Sequence, residues 1–293
     1  MPNPKSSDKR GSVLLFCLWA TAVLTTVGIS QASRIALQAR WLDRVKEEQQ
    51  AWLLAYSGVQ AAAEVLSADD PVVDGYHEVW ARTSADPYRL EAGSFLYVIQ
   101  DEQAWLPINT LPKELLARLP GFNPQMAEAV LQNRMEGHRI VHLGQLRFFG
   151  PIALETMEEL SSLVTVERTG SVNLNTAPRK VLLQLGLPAA LVSQILLYRS
   201  GPDAAPGTAD DRFFERADAS AVGAVLEEAV GYRLSPEDRT TLNGLTGEGV
   251  PLLGIRTDLF RVEARGITHR HRIEKRVWAV LDRQGNIRGW HEI

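Results

Sequence analysis

The chain has 293 residues, 45% of them hydrophobic, and a formal net charge of −4. That is enough for one large domain or two modest ones with a packed core, and the mild acidity argues against a protein built to coat nucleic acid. The single cysteine, Cys17, excludes an intrachain disulfide, so a body in an oxidising compartment folds without that staple.

The first feature from the N-terminus is "KRGSVLLFCLWATAVLTTVGI" at 9–29. Ser12 to Ile29 is 18 residues without a charge. A helix of that length covers about 27 Å, enough for a bilayer core. Lys5, Lys9 and Arg10 precede it, opposed only by Asp8, which places the short N-terminus in the cytoplasm and the remainder outside. An ordinary secretory signal ends in a small-residue site after the apolar run, and Ala32-Ser33 is one such site. Gly11, by contrast, stands in front of the run. Beyond Ile29, Leu42, Val45, Trp52, Tyr56, Val59, Ala63 and Leu66 recur at steps of mostly three or four, and no proline occurs between Pro4 and Pro71. The pattern predicts one helix from about residue 12 to about 67, membrane-bound at first and then amphipathic.

A short basic leader, a glycine, an apolar run and an unbroken amphipathic extension resemble the type IV pilin and type II secretion pseudopilin class. The resemblance implies that a prepilin peptidase cuts between Gly11 and Ser12 on the cytoplasmic side and methylates Ser12. The apolar run is then kept as anchor and filament core. Most members of the class carry glutamate as the fifth mature residue, where it pairs with the amine of a neighbouring subunit. A carboxylate in hydrocarbon is costly unless paired. Here the fifth residue is Phe16, and no acid lies between Gly11 and Ile29. That absence resembles the K-type minor pseudopilin, the GspK family.

Further on, "YRLEAGSFLYVIQD" (88–101) alternates well enough for a strand pair. "LPINTLPKELLARLPGFNPQMAEAVLQNR" (106–134) and "SVNLNTAPRKVLLQLGLPAALVSQILLYR" (171–199) look like copies: Asn109-Thr110 matches Asn175-Thr176, Pro112 matches Pro178, Leu119 matches Leu185 and Arg134 matches Arg199. Each reads as capping residues, a short helix opened near proline, a tight turn and a second helix. "HLGQLRFFGPIALETMEEL" between them adds another helix-turn-helix around Gly150-Pro151. The texture resembles the helix-hairpin-helix, or SAM-like, fold. DNA-binding hairpins use a G-x-G turn against phosphate, but "LPGFN" has Asn123 at the second glycine, and residues 106–250 carry 13 Lys/Arg against 17 Asp/Glu. Packing architecture is the better reading. In the GspK family such a helical domain is inserted into the pilin head.

"RSGPDAAPGTADDRFFERAD" (199–218) is an acidic, turn-rich loop. Its Asp203, Asp210, Asp211 and Asp218 supply the oxygen donors that Ca²⁺ requires, though without EF-hand spacing. GspK relatives bind calcium in the helical domain, and the resemblance implies Ca²⁺ here. "LFRVEARGI", "RIEKRVWAVLDR" and "IRGWHEI" then return to strand texture with "RQGN" as a turn. "HRHR" puts His269 and His271 on one face of a strand, read as a solvated edge. His138 and His142 are discounted as ligands in the same way.

No catalytic constellation emerges: there is no G-x-S-x-G, P-loop or H-E-x-x-H. The expectation is a non-enzymatic α+β protein, with a pilin-like long N-terminal helix packed on a small antiparallel sheet and a large inserted helical domain. The expected segments are a leader at 1–11, a transmembrane part at 12–29, amphipathic helix and first strands at 30–105, the insertion at 106–250 and closing strands at 251–293. The resemblance implies a single-pass protein of the bacterial inner membrane with a periplasmic body. Its partners would be I- and J-type minor pseudopilins, prepilin peptidase and the inner-membrane secretion platform, with no nucleic acid. Partner helices would meet it near Trp52, Tyr56 and Val59. The bulk of the insertion, and Phe16 in place of an acid, point to a cap on the pseudopilus tip that helps start assembly. The alternative is a membrane-anchored, competence-type helix-hairpin-helix DNA-binding protein.

Overall fold

The computed structural model describes residues 9–69, 72–82, 86–167, 170–247 and 251–292. Helix α1 runs unbroken over Lys9–Ser67. In its apolar part the hydroxyls of Thr21, Thr25 and Thr26 donate to the carbonyls of Leu18, Thr21 and Ala22, so none is left unsatisfied where water is absent. Its upper half buries a stripe of mostly small residues: Ala51, Leu54, Ala55, Val59, Ala62 and Leu66.

That stripe lies on one antiparallel sheet. Strands β1 (Tyr88–Leu90) and β2 (Gly93–Asp101) come before a long insertion. Three closing strands over Leu259–Thr268, Glu274–Asp282 and Ile287–Glu292 come after it. β2 pairs with the first closing strand from Gly93↔Thr268 to Asp101↔Phe260. Helix and sheet approach closely because Gly58 faces Ala264 and Leu96 O, and Gly266 faces the backbone of Ala51 and Ala55. Without side chains at these crossings the two backbones can sit against each other. The alternating inward residues Phe260, Val262 and Ala264, then Val277, Ala279 and Leu281, complete this core with Trp80 and Ile99.

Between Asp101 and Leu259 the chain builds a second, larger core. It has two units of one plan. The first opens at β3 (Leu106–Pro107), runs through α2 (Lys113–Leu116), α3 (Pro124–Met135), a 3₁₀ turn (Leu143–Phe148) and α4 (Leu154–Ser161), and closes at β4 (Val164–Thr165), parallel to β3. The second opens at β5 (Val172–Asn173), runs through α5 (Arg179–Gln184), α6 (Ala189–Arg199), α7 (Ala219–Val230) and α8 (Pro236–Thr246), and closes at β6 (Leu253–Gly254), parallel to β5. The closing strands of the sheet are therefore β7, β8 and β9, and the sheet order is β1-β2-β7-β8-β9.

The sequence repeat is a structural one. Asn109 clamps Ile140, donating to its carbonyl at 2.9 Å and accepting from its amide at 2.9 Å. Asn175 clamps Phe214 in the same two-way manner at 3.0 and 2.8 Å. Arg134 donates to the carbonyls of Leu111 and Ile108, and Arg199 to those of Ala177 and Leu174. Pro112 and Pro178 each precede the first short helix. Gly121 and Gly186 turn the chain at φ +76° and +96°, where a side chain would be strained.

One expectation is corrected. Residues 269–272 form the turn between β7 and β8, so His269 and His271 do not share a strand face. β7 ends at Thr268, whose amide closes the turn on the carbonyl of Ile273.

Candidate functional site

Three regions concentrate exposed apolar or buried polar chemistry. The first is α1. Phe16 is 68% exposed, in a span where Leu14, Leu15, Leu18, Trp19 and Leu24 are exposed as well. The helix thus presents hydrocarbon all round with no acid before Asp43. Gly11 and Ser12 fall within the helical span, but their side chains lie outside the described residues.

Higher on α1 the expected partner contacts are partly corrected. Val59 is fully buried in the chain's own core, so it cannot meet another subunit. Trp52 and Tyr56 stack at 5.5 Å and both meet Trp290 on β9, while Trp52 Nε1 donates to Glu292 Oε1 at 2.8 Å. They seal the edge of the sheet. The residues left open on this helix are Ile35, Leu37, Trp41, Leu42 and Leu53. The helical phase explains the difference: the inward stripe is carried by alanines and Gly58, and the large residues flank it.

The second region is a polar joint where the insertion meets the head. Asp101, the last residue of β2, accepts from Gln103 N, Asn173 Nδ2 and Thr176 Oγ1. Glu102 accepts both Arg261 Nε and Nη2 at 3.0 Å, and Thr165 Oγ1 also donates to it. Gln103 reaches the carbonyls of Ser171 and Arg256 and accepts from Asp258 N. Above them Arg283 donates to Asp69, Asp74 and the carbonyl of Thr257. Asp74 also accepts Thr257 N at 2.7 Å. Burial pushes the Asp74 carboxyl up to about 6, against the pull of Thr257 N and Arg283. Burial likewise pushes Glu78 up to about 7, although Gly75 N and Trp80 Nε1 donate to it. Burial alone would lower Arg283, but the Asp74 and Asp69 carboxylates outweigh it and leave it raised. Asp69, Asp74 and Glu78 hold carboxylate oxygens within 4.8 Å of one another. All three are engaged by donors of this chain, so the group reads as a joint. The joint as a whole draws on separate segments from Asp69 to Arg283, and no local pattern announces it.

The third region is the acidic loop. Asp210 accepts from Asp203 N at 3.0 Å and Thr208 Oγ1 at 2.6 Å. Asp211 Oδ2 accepts from Gly207 N and Thr208 N. Asp211 is nine-tenths buried, and its Oδ1 has no hydrogen-bond partner among the described residues. An orphaned buried carboxylate oxygen is costly, and a cation is one group that would satisfy it. Asp218 is committed elsewhere. It caps α7 by accepting from Ser220 N and Ala221 N and pairs with Arg216 at 2.8 Å. His138 and His142 also do structural work: His142 accepts from Gly144 N at 3.0 Å, and His138 lies near Glu136 on an exposed turn.

The hairpin turn at Gly121 is covered by α4, since a Cβ there would lie 2.7 Å from Thr156 Cγ2. Asn123 is spent as the cap of α3, accepting from Met126 N at 2.8 Å. Neither feature suits the close approach of a phosphate.

No protein-family model matches the chain, and no curated protein matches it. Among solved structures it is similar to a chain of the crystal structure of the GspK-GspI-GspJ complex from the enterotoxigenic Escherichia coli type 2 secretion system. The two are 15% identical and superpose with a TM-score of 0.62 over 86% of this chain and 99% of that one. The long N-terminal helix, antiparallel sheet and large helical insertion are thus the fold of a chain of that complex.

Proposed function

We propose that this chain is a minor pseudopilin of a type II secretion system, a non-enzymatic subunit that caps the pseudopilus tip and helps start its assembly. The observation that carries this is the position of the insertion. It leaves and re-enters the sheet at the paired residues Asp101 and Phe260, at the end remote from the apolar part of α1. A domain-sized mass there would obstruct a subunit stacked above. Phe16 supports the same reading, because a chain without an acid at the fifth mature position has no charge to offer the amine of a subunit ahead.

In this reading a prepilin peptidase cuts between Gly11 and Ser12, the apolar part of α1 is a single-pass inner-membrane anchor, and the body is periplasmic. I- and J-type minor pseudopilins pack along α1 through Trp41, Leu42 and Leu53, the stripe the sheet leaves open. The secretion platform engages the cytoplasmic end. Ca²⁺ binds the acidic loop, with Asp203, Asp210 and Asp211 as side-chain donors and Asp218 excluded by its capping role. Bound there, it would hold the loop against α6 as an oxygen-seeking cation. Immunogold labelling of sheared pseudopili tests the central claim. Label at one end supports the cap, and label along the shaft refutes it.

A further inference from the structure

Arg270 and Arg272, at the lower end of the head, form no ion pair among the described residues. The β7–β8 turn, His269-Arg270-His271-Arg272, is exposed throughout. It stands beside α1, where His271 Nδ1 meets Glu47 Oε1 at 2.7 Å. Between turn and helix opens a cleft of about 570 Å³ lined by Arg40, Asp43, Arg44, Arg270, His271 and Ile273. Of the nearby acids, Glu47 is taken by His271 and Glu48 by Arg44 at 3.2 Å; Asp43 in the lining forms no ion pair among the described residues, so against it Arg40, Arg270 and Arg272 leave an excess of two positive charges. Arg40, Arg270 and Arg272 form no ion pair among the described residues. Arg272 also holds φ +52°, a left-handed conformation that glycine or asparagine adopts more easily than arginine. The turn thus displays cations at a position where smaller residues would close it more comfortably.

The cleft lies on the same side as the anchor. A bilayer core beginning at Ser12 uses about 20 residues and ends near residue 32, which leaves Arg40 about 12 Å above the hydrocarbon. A helix tilt of about 20° toward the turn would lower it further, and arginine side chains reach toward phosphate along their stems.

We propose that the β7–β8 turn, with Arg40 across the cleft, is a docking site for the phosphate headgroups of anionic lipids, which seats the head on the outer leaflet before the subunit leaves the membrane. This rests on the reading of α1 as the anchor.

The test uses the full chain in nanodiscs of phosphatidylcholine alone, or with about one third phosphatidylglycerol, followed by hydrogen exchange of residues 268–274. Each arginine near an anionic surface contributes about a fivefold factor. Exchange of the turn is therefore expected to slow about fivefold or more in the anionic discs, and to recover in high salt. The slowing should vanish in an Arg270→Ser/Arg272→Ser variant whose β2 amides remain protected, which shows it is folded. Equal exchange in the two lipids overturns the proposal, as does equal slowing in the variant. Slowing by inorganic phosphate in phosphatidylcholine discs also overturns it, since that marks a free-anion site. A chain that enters neither disc refutes the anchor reading separately, and this proposal with it.

Discussion

Replacing Gly266 with alanine should lift α1 off the sheet. A Cβ at this position would lie 2.7 Å from Leu54 Cβ and closer still to Ala51 O and Ala55 N, all under the 3.0 Å that real Cβ atoms respect. Two of the three obstacles are helix backbone, so no rotamer change relieves the clash. The helix must retreat by about 1 Å, a gap that forfeits up to half the dispersion energy of each contact it opens. Ala51, Leu54, Ala55 and Val59 all lie on that interface. The cost falls at the upper end for an overpacked core, about 3 kcal/mol, or a drop in Tm of about 6–12 °C for a body of this size. Gly244 provides the control. It is an exposed residue of α8 with nothing within 4 Å of a built Cβ, so Gly244→Ala should stabilise by about 0.5–1 kcal/mol. Thermal unfolding of the detergent-solubilised full chain, followed by circular dichroism, measures both. A Gly266→Ala protein that melts with the wild type would refute the close-approach argument, because the helix would then have room the geometry denies it.

Glu78→Gln keeps an acceptor for Gly75 N and Trp80 Nε1 but removes the charge. Because burial raises the native pKa of Glu78 to about 7, the native state binds the proton more tightly, so stability is full below about pH 4 and declines as pH rises through 7. The variant should gain about 2 kcal/mol at pH 8 in denaturant titrations and nothing at pH 4, and an equal gain at both would contradict this. Arg199→Met strands the carbonyls of Leu174 and Ala177 and should cost about 2–4 kcal/mol, with protection lost first around α5 and α6 in hydrogen exchange. If Ca²⁺ occupies the acidic loop, the full chain melts higher in millimolar calcium than in chelator; Asp211→Asn abolishes that increment, while Asp218→Ala leaves it and costs about 1 kcal/mol of capping. Equal melting in calcium and chelator would remove the metal from the account.

Much of the fold was legible because its signals are local. An apolar run without proline, alternation in 88–101 and 259–281, and the paired Asn-Thr, proline and arginine positions each depend on a few neighbouring residues. The phase of α1 was harder. A reading keyed to large apolar residues selects Trp52 and Tyr56, whereas the inward face is built of Ala51, Ala55, Gly58 and Ala62, which are small because the backbones nearly touch. The joint was invisible for a different reason. Asp74, Asp101, Asn173, Thr257 and Arg283 are ordinary polar residues until five separate segments bring them together. Spacing groups Asp218 with its acidic neighbours, and only the start of α7 shows what it does. The histidines of the β7–β8 turn read as strand because the apolar alternation ends there without glycine.

The register of β2 against β7 also dictates an order of events. Gly93 waits for Thr268, and Asp101 for Phe260, so no part of the five-stranded sheet beyond the β1–β2 hairpin can form until the insertion has been made. Both units of the insertion, by contrast, close on contacts within their own length and can fold as soon as they emerge. In doing so they draw Asp101 and Leu259 together and reduce a loop of more than 150 residues to a short one, lowering its closure entropy. The inserted helical mass is then also the clasp on which the head is completed, and a lesion in Asn175 or Arg199 would surface as a slow-folding sheet some distance away.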